Sequence, residues 1–264
     1  MRCAKARVAL AQAILRRVSR RILITGASSG IGRALAQVLA ARGDSLLLVA
    51  RRADLLEELA AEIGPSARAL PLDVTDTGAL VAAMRRADDE RPLDVVIANA
   101  GAGVAKGADS ISWEGIERSC RVSFVGAAAT VTAVLPRMVE RGAGHVVGIS
   151  SLTAIGGPLP HAAAYAASKA GFSMLLDCLR LDVAPAGVAV TTVHAGFVDT
   201  AMTSGADHPL PLMWSAERAA GFIVDRLASR PARIDFPWPL ATLTRVAKQL
   251  PRPLYDRIAR GLRR

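Results

Sequence analysis

Short apolar segments alternate with amphipathic segments over most of this 264-residue chain. The apolar segments are rich in Val, Ile and Leu without interruption, which is typical of strands buried on both faces of a sheet. Turn residues or charged residues follow each of them. We therefore predict strands at residues 21–25, 45–50, 67–74, 93–98, 145–149, 188–193 and 233–236.

The segments between these strands carry apolar residues at the spacing of an α-helix. Strands that alternate with helices, with no linker between them, indicate an α/β fold: a single-domain, doubly wound parallel sheet with helices on both faces. Right-handed crossovers then place the carboxyl ends of the strands at one edge, where ligands bind. Helices are predicted at residues 34–41, 53–63, 77–88, 113–140, 162–181 and 216–229.

Positive charge is concentrated at the two ends of the chain. The net charge is +10, of which residues 1–21 contribute +7 and residues 245–264 contribute +6, so the residues between them are net acidic. Because no aromatic stacking surface or known motif accompanies the basic ends, we expect no nucleic-acid partner. Three cysteines without a CxxC pair indicate a reducing compartment, with no structural disulfide and no metal site. No apolar run approaches the ~18 residues that span a bilayer, so the expected location is the cytoplasm.

Residues 1–19 form a basic extension before the first strand. They contain no acidic residue and no continuous apolar core, so we do not expect a secretory signal. Two interpretations stay open. Either residues 1–18 form an amphipathic helix, or the native protein starts near Val18 and Ser19.

Residues 237–264 form a second basic extension, whose apolar residues recur at helical spacing. Pro251 and Pro253 interrupt it, which predicts two short helices. A helix pair that packs on the domain or on a sister subunit is the interpretation we favour. The alternative is a peripheral membrane contact, since Arg and Lys line the other side of the helices.

A glycine-rich turn joins the first predicted strand to the first helix. Glycines allow the tight turn and a close approach of the backbone to a pyrophosphate, and the N–H groups of the helix N-terminus favour an anion. Strand, turn and helix in this order indicate a dinucleotide site. Its candidate residues are Gly26, Ser28, Ser29, Gly30, Ile31 and Gly32.

Arg51 and Arg52 follow the second strand, where a dinucleotide fold places the adenosine ribose. An acidic residue there would accept hydrogen bonds from a free 2′-hydroxyl, whereas Ala50 is apolar and arginines suit a 2′-phosphate. NADP(H) is therefore favoured over NAD(H). The alternative is that both arginines only begin the next helix.

Tyr165 and Lys169 are four residues apart in a predicted helix, so they lie one turn apart on the same face. An ammonium beside a phenol favours the phenolate and is expected to lower the pKa of the tyrosine toward the range where it can exchange protons. The spacing alone is weak, because a surface Tyr and Lys can fall at it by chance.

Five ordered motifs from Arg20 to about Phe236 together resemble the classical short-chain dehydrogenase/reductase family, whose fold is the Rossmann fold. They are TGxxxGxG at 25–32, NAG at 99–101, a serine after the fifth strand at Ser151, YxxxK at 165–169, and an xGxxxT segment at 195–200. The resemblance implies a dinucleotide-binding and catalytic domain at residues 20–236. It also implies an oxidoreductase that interconverts a carbonyl and an alcohol, as a homodimer or homotetramer.

The resemblance assigns roles to individual residues. Tyr165 would exchange the proton with the substrate oxygen, Lys169 would lower the Tyr165 pKa and hold the nicotinamide ribose, and Ser151, rather than the neighbouring Ser150, would polarise the carbonyl. The remaining residues implied for cofactor binding are Asp73 and Val74 at the adenine, Asn99, Ala100 and Gly101 at the central sheet, and Val198 and Thr200 near the carboxamide.

One departure affects the proton supply. Ser123 stands where the family has an asparagine that holds a water in the proton relay, and a single hydroxyl cannot hold a water in the same geometry. Ser123 supports an alternative function, a catalytically weak NADP(H)-binding sensor or scaffold. The segment 201–214 is expected to cover the substrate, and its apolar residues, including Met202, Met213 and Trp214, indicate a fairly apolar substrate. His194 is expected to be a core residue and His208 a loop residue.

Overall fold

The computed structural model describes residues 19–103, 110–204 and 210–261. Within these residues, seven strands form one sheet in the order β3-β2-β1-β4-β5-β6-β7. All neighbouring strands are parallel, which confirms the predicted doubly wound α/β fold. The strands are β1 (Arg21–Thr25), β2 (Ser45–Ala50), β3 (Ala67–Pro71), β4 (Val95–Ala98), β5 (Gly144–Ser151), β6 (Val188–Ala195) and β7 (Arg233–Phe236).

Helices cover both faces of the sheet. One hydrophobic cluster joins the sheet to α1, α2 and α8, and a second joins the opposite face to α3, α5, α6 and α7. The strand order reverses between β1 and β4, and this switch point opens the crevice in which doubly wound sheets bind ligands. The helices are α1 (Gly30–Ala41), α2 (Ala53–Ile63), α3 (Thr77–Glu90), α4 (Trp113–Cys120), α5 (Ala127–Thr132), α6 (Leu135–Glu140), α7 (Ala163–Val183), α8 (Ala216–Leu227), α9 (Trp238–Lys248) and α10 (Arg252–Gly261).

Helix α7 lies directly on β5 because Gly148 has no side chain. A Cβ atom at Gly148 would lie 2.2 Å from Leu176 Cδ1 and 2.8 Å from Phe172 Cε1, closer than side chains approach. Phe172 and Leu176 are themselves fully buried, and each contributes about 1.5–3 kcal/mol through burial. This contact sets the distance between α7 and the end of β5.

The prediction of one continuous helix over residues 113–140 is confirmed for residues 113–132 and wrong beyond them. A π-helical turn, Arg121–Gly126, joins α4 to α5 without a break, and the helix is interrupted at residues 133 and 134, before α6. Pro136 lies in the first turn of α6, where its missing N–H costs nothing, but it could not continue a helix from α5. The whole segment 113–140 passes the length and composition test for a membrane span, yet half of its most apolar window is buried inside the domain.

Three strand ends also differ from the prediction. Strand β3 ends at Pro71, so Asp73 and Val74 lie in the turn beyond it. Strands β5 and β6 are longer than predicted and reach Ser151 and Ala195, because each pairs with its neighbour over its full length. The added residues at the ends of these two strands include the polar residues Ser150, Ser151 and His194.

The C-terminal extension forms two helices, α9 and α10, on either side of Pro251, as predicted. Both pack on the domain: Thr244 covers Gly156, and the Tyr255 hydroxyl donates to the carbonyl oxygen of Pro158 at 3.1 Å. The interpretation favoured from the sequence included this contact with the domain, together with packing on a sister subunit. Five large apolar side chains of the pair remain substantially exposed: Trp238, Leu243, Val246, Leu254 and Ile258. The predicted N-terminal helix at residues 1–18 lies outside the described residues.

Candidate active site

The glycine-rich turn between β1 and α1 is shaped for an anion. Ser29 precedes α1 without capping it through its side chain, and no acidic residue lies in the first turn. The first N–H groups of α1 therefore have no side-chain acceptor and are suited to a pyrophosphate. Gly26 and Gly30 have φ values of 69° and 54°, which disfavour any residue with a side chain.

Asn99 fastens this turn to the end of β4. Its side-chain nitrogen donates to the carbonyl oxygens of Thr25 at 3.0 Å and Gly26 at 3.2 Å, while the Thr25 hydroxyl accepts from the backbone N–H groups of Asn99 and Ala100. A Cβ atom at Gly32 would lie 2.5 Å from the Asn99 side-chain nitrogen. Asn99, Ala100 and the glycines thus form one rigid unit at the switch point. The Thr25 hydroxyl was not among the predicted site residues.

Arg52 joins the glycine-rich turn to the end of β2. Its guanidinium donates to the hydroxyl oxygens of Ser28 at 3.1 Å and Ser29 at 2.9 Å. Arg51 points elsewhere: its side chain is 71% exposed and lies 3.7 Å from the Asp73 carboxylate. Of the two arginines, Arg52 is therefore the one held next to the glycine-rich turn.

Asp73 and Val74 follow β3 at the same edge. The Asp73 carboxylate accepts from the backbone N–H and the hydroxyl of Thr75, both at 2.8 Å. Val74 is buried against Gly126, at the end of the π-helical turn. The turn after β3 is therefore ordered by Asp73 and anchored by Val74.

Tyr165, Lys169 and Ser151 come together where α7 crosses the end of β5. The Lys169 ammonium lies 6.0 Å from the centre of the Tyr165 ring, and it donates to the carbonyl oxygen of Ile149 at 2.8 Å. Ser151 lies close enough to the Tyr165 hydroxyl to influence its pKa. Ser150 is directed elsewhere, to the Lys169 carbonyl oxygen and the Ser173 hydroxyl. The structure thus places Ser151, not Ser150, beside the tyrosine.

The pKa of Tyr165 differs from the sequence-based expectation. Burial raises the pKa of Tyr165, and the nearby Ser151 hydroxyl only partly opposes this effect. Burial lowers the pKa of Lys169 to about 8. The net shift of the Tyr165 pKa is therefore upward, opposite to the direction predicted from the sequence, because desolvation outweighs the effect of Ser151.

Ser123 lies in the π-helical turn and is fully buried. Its hydroxyl oxygen accepts from the backbone N–H of Ala102 at 3.0 Å. A Cβ atom at Gly101 would lie 3.4 Å from the Lys169 ammonium and 3.8 Å from the Ser123 hydroxyl oxygen, so the three residues are neighbours. Ser123 therefore lies near Lys169, and it also orders the segment after Asn99.

Thr200 and Val198 lie on the opposite wall of the crevice. A Cβ atom at Gly30 would lie 2.9 Å from Thr200 Cγ2, so the threonine is next to the start of α1. Val198 is buried, and its carbonyl oxygen accepts from Thr203 at 2.8 Å. This segment therefore closes over the glycine-rich turn.

Trp214 anchors the covering segment to the domain. Its ring stacks on Phe236 and meets Phe222 edge-on, both at 5.1 Å between ring centres. Met202 and Met213 are half exposed, and Met202 lies beside Gly103. His208 and the rest of residues 205–209 lie outside the described residues.

The sequence did not predict that four polar residues form one hydrogen-bonded group. Ser150, Ser173, His194 and Asp235 are hydrogen-bonded to one another beneath α7. His194 is fully buried, in agreement with its prediction as a core residue. No sequence spacing joins these four positions, because strand register and helix placement bring them together.

Comparisons with known proteins agree with this geometry. The family profile "short chain dehydrogenase" matches residues 20–210. An uncharacterized oxidoreductase of Myxococcus xanthus is 42% identical over 248 residues, which cover 92% of this chain and 98% of the relative.

Solved structures show the same similarity. A short-chain dehydrogenase from Sphingobium yanoikuyae in complex with NADPH superposes with a TM-score of 0.76 at 31% identity, covering 83% of this chain and 88% of the other. A short-chain dehydrogenase from Streptomyces avermitilis gives a TM-score of 0.76 at 28% identity, covering 88% and 92%. Fold, profile and close relatives agree, and the chain belongs to the short-chain dehydrogenase family of oxidoreductases, which act on CH–OH and C=O groups with a nicotinamide cofactor.

Proposed function

We propose that this protein is an NADP(H)-dependent oxidoreductase that interconverts a carbonyl and an alcohol on a fairly apolar substrate. The observation that carries the proposal is the meeting of Ser151, Tyr165 and Lys169 beside the glycine-rich turn. When bound, the nicotinamide supplies or accepts the hydride. The protein then has to orient the substrate oxygen and exchange one proton with it.

Tyr165 is the proposed acid/base residue. Since burial raises its pKa, the phenol carries its proton at neutral pH and is in the form that protonates a carbonyl oxygen during reduction. Ser151, next to the phenol, would donate a second hydrogen bond to the same oxygen. Lys169 would hold the nicotinamide ribose and supply a proton to Tyr165, with Ser123 beside it in the relay.

Arg52 supports the preference for NADP(H). The guanidinium already lies between the two serine hydroxyls of the glycine-rich turn, so it can pair with a 2′-phosphate without a change of position. The relative from Sphingobium was solved with NADPH. Asp73, Val74, Asn99, Val198 and Thr200, together with the glycines, would hold the remainder of the dinucleotide.

The substrate class follows from the covering segment. Met202 and Met213 lie near the two ends of this segment and are half exposed, so they can present apolar surface to a substrate. Apolar surface favours a ketone, aldehyde or alcohol without a charged group. The substrate preference is tested within the same assay by comparing apolar carbonyl compounds with carboxylated ones. Faster turnover of the carboxylated compounds would contradict it.

The test of function is NADPH oxidation with a panel of carbonyl compounds. Tyr165→Phe is expected to lower kcat by about 10²–10⁴-fold while NADPH still binds. The chain has one other tyrosine, Tyr255, which contacts Pro158. Tyr255→Phe is the matched control and should retain activity close to that of the wild type.

A sensor or scaffold that binds NADP(H) without turnover is the alternative. Ser123 in place of the relay asparagine is the observation that favours it. It predicts tight NADPH binding and no oxidation with any member of the panel. Measurable turnover that Tyr165→Phe abolishes would exclude it.

We further propose that the protein is a cytoplasmic homodimer or homotetramer. Met174 and Leu181 are about two-thirds exposed on the outer side of α7, where a second copy would cover them. Light scattering coupled to size exclusion should show an oligomer, and a double change to glutamate at these positions should yield monomers. A monomeric wild type would contradict this proposal.

A peripheral membrane contact is the remaining proposal for the C-terminal extension. Leu243 and Ile258 are more than half exposed on α9 and α10, and the same two helices carry exposed arginines and a lysine. Co-sedimentation with anionic vesicles should fall when Leu243 and Ile258 are both replaced by serine, and neutral vesicles should bind less. Equal sedimentation of variant and wild type would contradict the contact.

A further inference from the structure

A row of polar residues crosses three neighbouring strands next to the proposed catalytic helix. Ser150 of β5 is in register with His194 of β6, and His194 is in register with Asp235 of β7. Residues in register on neighbouring strands direct their side chains to the same face of the sheet. Here that face lies beneath α7, next to a hydrophobic cluster.

Hydrogen bonds join this row to α7. His194 Nδ1 lies 2.6 Å from an Asp235 carboxylate oxygen, and Nε2 lies 3.2 Å from the Ser173 hydroxyl. The Ser173 and Ser150 hydroxyls are 2.7 Å apart, and Ser150 also donates to the Lys169 carbonyl oxygen at 3.2 Å. Because a carboxylate only accepts, Nδ1 must donate, and this bond fixes the orientation of the imidazole.

The row ends at the C-terminal extension. The second carboxylate oxygen of Asp235 accepts from Arg245 of α9, whose side chain is 44% exposed. Burial would raise the pKa of Asp235, but the hydrogen bonds and charges of His194 and Arg245 outweigh this effect and lower the pKa. Asp235 is therefore ionised, and the contacts run from an exposed arginine to a fully buried histidine.

Lys169 is hydrogen-bonded to Ser150, the β5 residue of this row, and to the residue before it, Ile149. Ile149 accepts from the Lys169 ammonium, and Ser150 donates to the Lys169 backbone carbonyl. The next residue of β5 is Ser151, beside Tyr165. A displacement of Ser150 relative to α7 would therefore change the alignment of Ser151, Tyr165 and Lys169 together.

We propose that Ser173, His194, Asp235 and Arg245 are positioning residues, which hold α7 in place against the end of β5 and connect the C-terminal extension to the catalytic residues. Neither the family profile, which ends at residue 210, nor the YxxxK and serine motifs include Asp235 or Arg245. The effect on catalysis rests on the proposed function. The effect on the mobility of α7 does not.

The experiment compares Arg245→Ala, Arg245→Lys and His194→Gln with the wild type. Arg245→Ala is expected to lower kcat by about two- to thirty-fold with little change in the KM of the carbonyl substrate. Arg245→Lys keeps the charge and should restore most of kcat. Arg257→Ala, which changes an exposed arginine of α10, is the matched control and should behave as the wild type.

Hydrogen exchange of the protein without cofactor gives a readout that needs no activity. Backbone N–H groups of α7 around Lys169 and Ser173 should exchange faster in Arg245→Ala and in His194→Gln, at temperatures where both variants are folded. Exchange in α1, on the other face of the sheet, should not change.

Two outcomes would overturn the proposal: unchanged exchange of α7 in both variants, or a loss of kcat matched by an equal loss of folded protein and not restored by Arg245→Lys. If the wild type reduces no carbonyl compound, the proposed function fails, and the exchange measurement alone decides on the positioning role.

Discussion

The Lys169 ammonium donates to the carbonyl oxygen of Ile149 across a distance of 2.8 Å, inside the domain and beside the tyrosine with which it shares a helix face. Lys169 is 4% exposed, so the fold keeps a group that prefers water in an environment of low polarity. This arrangement is expected of a functional group and not of one selected for stability.

Removal of this buried amine should stabilise the protein without cofactor. The Lys169 pKa falls from 10.5 to about 8, so the unfolded chain binds more protons between these pH values, and stability rises with pH across that range. The cost is fully present below pH 8, where it amounts to about 3 kcal/mol. Lys169→Met should therefore raise the free energy of unfolding at pH 7, and the gain should shrink toward pH 10.5.

Urea unfolding at a series of pH values checks this expectation. Lys248→Met, which changes an exposed lysine of α9, is the control and should show no such pH dependence. A destabilised Lys169→Met at pH 7 would show that the bond to Ile149 outweighs the desolvation of the amine.

His145 should make the protein sensitive to acid. Burial, together with the charges of Arg230 and Arg20, lowers the pKa of His145 from 6.5 to about 4. The unfolded chain takes up a proton at higher pH than the folded one, so this stabilisation is present above pH 6.5 and is lost as the pH falls to 4. The loss amounts to about 3 kcal/mol.

His145→Gln should flatten this decline, because glutamine does not titrate and can still donate to Thr191, which lies 2.8 Å from the imidazole. Chemical unfolding between pH 4 and 7 measures the slope. The exposed His161 provides the control change to glutamine. Equal slopes for His145→Gln and the wild type would refute the assignment.

Arg52→Ala should affect the binding affinities of NADPH and NADH differently. Loss of charge-assisted hydrogen bonds to a 2′-phosphate should weaken NADPH binding by about 10- to 100-fold and leave NADH binding nearly unchanged. Arg51→Ala should have a smaller effect, since its side chain is directed toward Asp73. Fluorescence titration with both cofactors measures the affinities, and a parallel loss for NADH would remove the basis for the NADP(H) preference.

Asn99→Ala should weaken both the fold and cofactor binding. It leaves the carbonyl oxygens of Thr25 and Gly26 without the amide that donates to them, which costs about 1–3 kcal/mol of unfolding free energy. The glycine-rich turn, which we propose binds the pyrophosphate, loses its support at the same time. Thermal unfolding and NADPH titration test both effects, with the exposed Gln249→Ala as the control for loss of an amide.

The fold and most of the candidate site were predictable from local patterns. Buried strands of a parallel sheet appear as unbroken apolar runs, and carboxyl ends of such strands share one edge, so Gly26, Asn99, Ser151 and Thr200 could be placed together without coordinates. The helical spacing of Tyr165 and Lys169 likewise placed them on one face. These features depend on residues near one another in the chain or on a general rule of topology.

Only the tertiary structure decided the remaining features, because they depend on how separate elements meet. The direction of the Tyr165 pKa depends on the solvent excluded by β5 and α7, which spacing does not show. The contact of Arg52 with Ser28 depends on a side-chain conformation, and the alignment of Ser150, His194 and Asp235 depends on the register of three strands. Sequence periodicity thus determined which elements form and which edge they share, while packing between elements determined protonation, partner choice and the path from Arg245 to Lys169.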